Sequence, residues 1–155
     1  MIAVDTNLLV YAHREDAKFH AEANAALVKL AAGTERWAVP WPCAHEFIAI
    51  VTHPKIYKTP TPLERALEAL AELNACPTLE FIGEADGYLD SLAESALAAR
   101  VQGGAIHDAR IAAICRFHGV RELWSADRDF SRFAAVKVRN PRVGVSVDVR
   151  GNCDS

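Results

Sequence analysis

Five carboxylates stand where a solvated surface charge is not the only reading. Asp5 closes the apolar run Met1-Ile2-Ala3-Val4 and is followed by Thr6 and Asn7. Glu46 shares a helical face with Ala49 and Ile50, about one turn into its helix. Asp108 shares a face with Ile111, Ala112 and Cys115, again in a first helical turn. Asp127 and Asp129 follow the run ending in Trp124-Ser125, within Ser125-Ala126-Asp127-Arg128-Asp129-Phe130. Each alone has a structural explanation. Asp5 suits an Asx turn or a helix cap, and Asp108 complements a helix dipole. Glu46 suits a half-exposed helix face, and Asp127 and Asp129 suit a loop pinned by Phe130 and Phe133.

Together they point elsewhere. Two acids follow strand ends and two lie in first helical turns, so all four positions belong at one rim of a parallel sheet, where such sheets bind ligands. Unpaired carboxylates gathered there raise one another's pKa, at about 1.4 kcal/mol per unit. A divalent cation relieves that conflict. All-oxygen ligation suits Mg²⁺ or Mn²⁺, which bind through one or two carboxylates and keep waters for a phosphate. Activated water and charge stabilisation are the requirements of phosphodiester hydrolysis.

The positioning elements follow from periodicity. Residues 1–4 form a short buried strand, and a helix is predicted over residues 15–32, with Phe19, Ala23, Ala26, Leu27 and Leu30 inward and Gly33 as its stop. Trp37–Pro40 reads as a strand, and a helix follows with Pro42 in its first turn, carrying Glu46, Phe47, Ile50 and Val51 and ending before Pro54. After the basic, turn-rich run His53-Pro54-Lys55-Ile56-Tyr57-Lys58, Thr61-Pro62-Leu63-Glu64 has the form of a capping box. It opens a helix whose Leu63, Ala66, Leu67, Leu70 and Leu73 make one stripe. A strand over 78–82 precedes a helix over 84–101 with Leu89, Leu92, Ala93, Ala96 and Leu97 inward, broken at Gly103-Gly104. Residues 106–118 form a helix stopped by Gly119, 122–125 a strand and 136–138 another. Val145, Val147 and Val149 alternate with Ser146 and Asp148, as in an edge strand. Strands alternating with helices predict an α/β domain with a mostly parallel sheet. One domain is expected over residues 1–149, with a polar tail over 150–155.

At 155 residues, 51% hydrophobic, the chain can bury close to ~70% of its unfolded surface. No apolar run approaches the ~20 residues of a membrane span, and the N-terminus lacks the pattern of a secretory signal. Cys43, Cys76, Cys115 and Cys153 stand far apart with no zinc-like spacing, so reduced thiols and a cytoplasmic location are expected. A net charge of −3 argues against a module that grips nucleic acid by charge alone, but not against a nuclease whose bound metal offsets its carboxylates.

The ordered set Val4-Asp5-Thr6-Asn7, Glu46, His107-Asp108-Ala109 and Ser125-Ala126-Asp127-Arg128-Asp129-Phe130 resembles the PIN-domain ribonucleases, and most of all the VapC toxins of type II toxin–antitoxin systems. The run Asp5-Thr6-Asn7-Leu8-Leu9-Val10-Tyr11-Ala12 and the later Thr52-His53-Pro54 are similar to a mycobacterial subgroup. The resemblance covers residues 2–143. It implies a PIN-like, Rossmann-like three-layer α/β/α sandwich with a central, mostly parallel sheet of five strands. It implies Mg²⁺- or Mn²⁺-dependent endonucleolytic cleavage of structured RNA, such as tRNA or ribosomal RNA. Asp5 and Asp108 then match the surest metal ligands, with Glu46 and Asp127 completing the site directly, through water or at a second metal about 4 Å away. Thr6, Asn7, Ser125 and Asp129 match supporting residues that orient the acids. The family also implies a homodimer and a VapB-type antitoxin whose C-terminal segment occupies the active-site groove.

The chain departs from the subgroup in two places. An arginine carried by some members in the helix of Glu46 is absent from Ile48-Ala49-Ile50, which leaves Lys55, Lys58, Arg128 and Arg132 as candidate RNA contacts. Ser125 replaces a commoner threonine. The six histidines show no metal-like spacing, and Trp37, Trp41 and Trp124 suit core or rim packing. A phosphatase on a similar sheet is disfavoured because Asn7 stands where the Asp-x-Asp-x-Thr nucleophile motif has its second acid. A catalytically silent RNA-binding module is disfavoured by the intact acidic quartet.

Overall fold

The computed structural model describes residues 1–141, so the strand expected at Val145–Val149 and the tail lie outside the described residues. Five strands form one sheet in the order β3-β2-β1-β4-β5: β1 (Ile2–Val4), β2 (Trp37–Pro40), β3 (Leu79–Ile82), β4 (Glu122–Trp124) and β5 (Lys137–Arg139). Every pairing is parallel. Residues of β1, β2 and β4 are buried throughout, as expected for strands covered on both faces.

The helices are α1 (Thr6–His13), α2 (His20–Ala32), α3 (Trp41–Val51), α4 (Leu63–Asn74), α5 (Tyr88–Ala99) and α6 (Ile106–Phe117). The chain steps from β1 to β2 to β3, then crosses back to β4 beyond β1. Right-handed crossovers therefore put α1 to α4 on one face and α5 and α6 on the other. The direction of travel reverses between β1 and β4. That switch point leaves a crevice at the carboxyl ends of those two strands, where Asp5 and Ser125 stand.

Four local expectations fail. A helix begins at Thr6, immediately after Asp5, and the next starts at His20, not residue 15. Leu8, Leu9 and Val10 are buried, and their contiguous run hides the period of an eight-residue helix. The capping box does not form: Pro62 precedes α4 with no side-chain cap. Buried Thr61 is instead engaged by His13 Nε2 at 3.1 Å and Arg14 Nη1 at 3.3 Å. On α4 only Ala66 and Leu70 of the predicted stripe are buried, whereas Leu63 and Leu67 are half exposed. On α5, Leu89 and Leu97 are 73% and 76% exposed and Ala93 is exposed too. The inward side is made by Leu92, Ser95 and Ala96. Glycine sets the start of α5, since Gly87 holds φ 87° before Tyr88, a conformation that costs other residues a Cβ clash.

Candidate active site

Asp5 is joined to the sheet by its own backbone, its N–H donating to the Trp124 carbonyl at 3.0 Å. Its side chain is therefore fixed at the crevice by strand pairing. The carboxylate is 4% exposed. Its Oδ2 accepts from the Ser125 hydroxyl at 2.7 Å and its Oδ1 from the Cys43 thiol at 3.4 Å. About two of a carboxylate's four lone-pair sites are thus used. Burial pushes the Asp5 pKa up, the Ser125, Thr6 backbone and Cys43 bonds oppose that rise, and the Glu46 charge adds to it.

A small cleft of about 110 Å³ is lined by Asp5, Glu46, Asp108 and Asp127, together with Thr6 and Asn7. Ile50, Ile111 and Phe130 make its apolar wall. Four carboxylates from β1, α3, α6 and the turn after β4 thus meet in one place. Asp108 is half-buried in the first turn of α6. Its pKa is raised by burial first, then by the charges of Asp127, Asp129 and Glu46, with Arg132 opposing. Among the described residues, no ion pair joins any of these acids to a lysine or arginine.

The residues expected to orient the acids divide that work among them. Thr6 donates its hydroxyl to Glu46 Oε2 at 2.9 Å, so it orients the second acid. Ser125 also accepts from the Asp127 N–H at 2.9 Å, which makes it a bridge between two acids. Asn7 Oδ1 accepts from the Ala126 N–H at 3.3 Å and holds the turn between them. Asp129 donates its backbone N–H to Asp127 Oδ1 at 2.8 Å, closing an Asx turn at the start of a 3-10 segment, Arg128–Arg132. Cys43 was not anticipated. The available signal was its spacing, three residues before Glu46 on the same helical face.

The candidate RNA contacts do not line the cleft. Arg132 comes near enough to act on Asp108, Arg128 is exposed, and Lys55 and Lys58 lie on the exposed segment after α3. No histidine lines the cleft either. Trp37 and Trp124 are core residues, and Trp41, 44% exposed, stacks on Phe81 with ring centroids 4.5 Å apart.

The donor set suits a hard divalent cation: only oxygens, one buried carboxylate without a cationic partner, and a second whose ionisation is opposed by its neighbours. Among the described residues no three His, Cys, Asp or Glu side chains form a ready cage for an ion.

Comparison with known proteins agrees with the geometry. The PIN domain model matches residues 2–136. Ribonuclease VapC48 of Mycobacterium tuberculosis is 31% identical over 140 residues, 90% of this chain and 97% of that protein. Among solved structures, Mycobacterium tuberculosis VapC20, a sarcin–ricin loop cleaving toxin, superposes with a TM-score of 0.66 at 17% identity, covering 90% of this chain and all of that one. A toxin–antitoxin complex from Klebsiella pneumoniae gives a TM-score of 0.62 at 18% identity, covering 91% and 98% of the two chains. Fold and sequence likeness agree, and the chain belongs to the PIN-domain family, among its VapC ribonucleases.

Proposed function

We propose that this protein is a Mg²⁺- or Mn²⁺-dependent endoribonuclease that cleaves structured RNA, tRNA or ribosomal RNA, and acts as the toxin of a type II toxin–antitoxin pair by stopping translation. The observation that carries the reading is the convergence of four carboxylates from distant parts of the chain on one cleft, none of them ion-paired to a lysine or arginine among the described residues. In this reading Asp5 and Asp108 hold the metal, and Glu46 and Asp127 complete its surroundings. When bound, the ion would supply a more acidic, oriented water and charge neutralisation at the scissile phosphate. Ser125 and Cys43 keep the Asp5 carboxylate from rotating, and Thr6 does the same for Glu46. Ile50, Ile111 and Phe130 limit water around the acids, which strengthens each electrostatic contact.

Two further features support the partners this reading requires. A groove of about 360 Å³ runs between α2 and α4, lined by Leu27, Val28, Ala69 and Leu73 and flanked by Arg65 and Glu72. It suits the apolar face of an antitoxin segment. The exposed row Leu89, Ala93 and Leu97 on α5 suits the interface of a homodimer, since large exposed apolar residues at helical spacing favour burial against a second surface.

The test is cleavage of tRNA and ribosomal RNA fragments by purified protein with and without Mn²⁺, beside Asp5→Ala. Metal-dependent cutting that disappears in the variant is the expected result. Equal cutting by both proteins would remove the acids from the mechanism. Expression without antitoxin is expected to arrest growth, and harmless accumulation of active enzyme would refute the toxin role.

A further inference from the structure

Beyond α3 the chain makes a closed loop. The Thr61 N–H donates to the Val51 carbonyl at 2.8 Å, so residues 52–60 leave and return at one point, as in the compact Ω-type loops that are often functional. Inside it, the Ile56 and Tyr57 N–H groups both donate to the His53 carbonyl at 3.2 Å, and the Lys55 N–H donates to His53 Nδ1 at 3.0 Å. The segment contains Lys55 and Lys58 and no acid. Its lysines are exposed while Tyr57 is half-buried.

What holds the loop is one residue from the other side of the chain. Arg14, at the end of α1, has a side chain only 12% exposed. Its guanidinium carbon lies 4.0 Å from the centroid of the Tyr57 ring. Its Nη1 donates to the Thr59 carbonyl at 2.9 Å and to the Thr61 hydroxyl at 3.3 Å. Nε and Nη2 are taken by Asp16, at 2.9 and 2.7 Å. About four of its five N–H donors are thereby used within the protein, and its charge is matched by Asp16. Arg14 is therefore not free to bind a phosphate. It stacks on one loop residue and bonds two others, which is the arrangement of a clasp.

The loop is also placed to matter. Glu46 and Ile50 line the acidic cleft from one face of α3. The backbone stays helical through Thr52, and the His53 N–H still donates to the Ile50 carbonyl at 3.1 Å. α3 ends at Val51, so the acid-free stretch with its two lysines follows directly on the helix whose Glu46 and Ile50 line the pocket of four carboxylates. RNA reaching those acids needs positive charge beside them, and among the described residues the cleft lining holds none, Arg132 near Asp108 being the cation beside it.

We infer that residues 53–58 form an RNA-backbone contact site, with Lys55 and Lys58 as its phosphate ligands and Arg14 as the positioning residue that fixes the loop at the end of α3. The inference rests on the nuclease reading for the identity of its ligand, and its test uses binding, not cleavage. A fluorescein-labelled RNA hairpin of mixed sequence is titrated with wild type, Lys55→Ala/Lys58→Ala and Arg14→Met at several salt concentrations. Amide hydrogen exchange of residues 53–60 and the Mn²⁺-dependent rise in melting temperature are followed in the same proteins.

The double lysine variant is expected to reduce the slope of log K against log salt by about 1.4 to 1.8, at 0.7 to 0.9 per phosphate contact. Arg14→Met is expected to speed loop exchange at least tenfold and to weaken hairpin binding and its salt slope although both lysines remain. The Mn²⁺ response should be unchanged in each. Wild-type affinity and slope in Arg14→Met, with or without faster loop exchange, would overturn the inference, as would wild-type slope in the lysine variant. If Arg14→Met does not fold, Tyr57→Leu removes the stacking partner and is judged by the same readouts. A protein that binds the hairpin through this loop but cuts no RNA overturns the nuclease reading and leaves the contact site. One that cuts RNA while all variants bind as wild type does the reverse.

Discussion

Replacing Ser125 by alanine removes one oxygen that serves two acids. The hydroxyl is 2% exposed, donates to Asp5 Oδ2 at 2.7 Å and accepts from the Asp127 N–H at 2.9 Å. Loss of the bond to the Asp5 carboxylate costs about 1.5 to 3 kcal/mol, the range for hydrogen bonds to charged groups. Loss of the second costs about 0.5 to 1.5 kcal/mol, at the low end because Asp127 is half-exposed and water can replace the acceptor. The sum is about 2 to 4 kcal/mol, or roughly 4 to 16 °C in melting temperature for a chain of this size. Denaturant unfolding of Ser125→Ala without metal measures it. The pH dependence carries a sign. The Ser125 bond lowers the Asp5 pKa against the rise caused by burial, so its removal moves that pKa further up and hurts most where Asp5 is ionised. The deficit of the variant is therefore expected to be larger at pH 8 than at pH 4.5. Mn²⁺ binding should weaken about 10- to 100-fold, the usual effect of losing a ligand's supporting hydrogen bond. A stability loss under about 0.5 kcal/mol, or a deficit independent of pH, would refute the bridging role.

The raised pKa values of Asp5 and Asp108 mean that the stability linked to those groups is present in full below their unfolded pKa. It is lost as pH rises through their folded pKa, so the metal-free protein should be penalised at neutral pH. Asp108→Asn is then expected to raise the metal-free melting temperature at pH 7 and to abolish the response to Mn²⁺; a fall in the metal-free value would make Asp108 a structural cap. In wild type, Mn²⁺ at about 100 times its Kd should add about 2.7 kcal/mol of stability, read as a melting shift that vanishes with EDTA. Leu89→Glu with Leu97→Glu should leave the unfolding profile near wild type, since both side chains are already exposed, and should convert a dimer to a monomer by light scattering. An unchanged mass would move the dimer contact to another face.

The acid cluster is more legible in the chain than some of its supports. Asp5 is visible because it closes an apolar strand, Asp127 because it lies in the polar turn just after another, and Glu46 and Asp108 because they share faces with buried residues. The five parallel strands follow from their alternation with helices. The cap expected at Thr61 does not form; capping rules are local and miss distant partners. The partners that claimed its hydroxyl, His13 and Arg14, are 48 and 47 residues away. On α5 two apolar stripes compete, and periodicity alone cannot say that Leu92 and Ala96 face inward while Leu89 and Leu97 do not. Cys43 escaped notice because a thiol among apolar helix residues looks like packing until the carboxylate beside it is located. Arg14 and Tyr57 are 43 positions apart in sequence, and only tertiary structure brings them face to face.

The bond from the Asp5 N–H to the Trp124 carbonyl has a consequence for how this molecule can change over generations. An acid tied into the central ladder opens only with the fold itself, at the high end of local opening energies. The Lys55–Lys58 segment hangs from the sheet through α3 and shares no strand hydrogen bond with it. Substitutions there leave the reaction centre in register, so a duplicated gene can drift in the one while selection holds the other still. On the proposed reading, that wiring favours diversification of target without reinvention of chemistry.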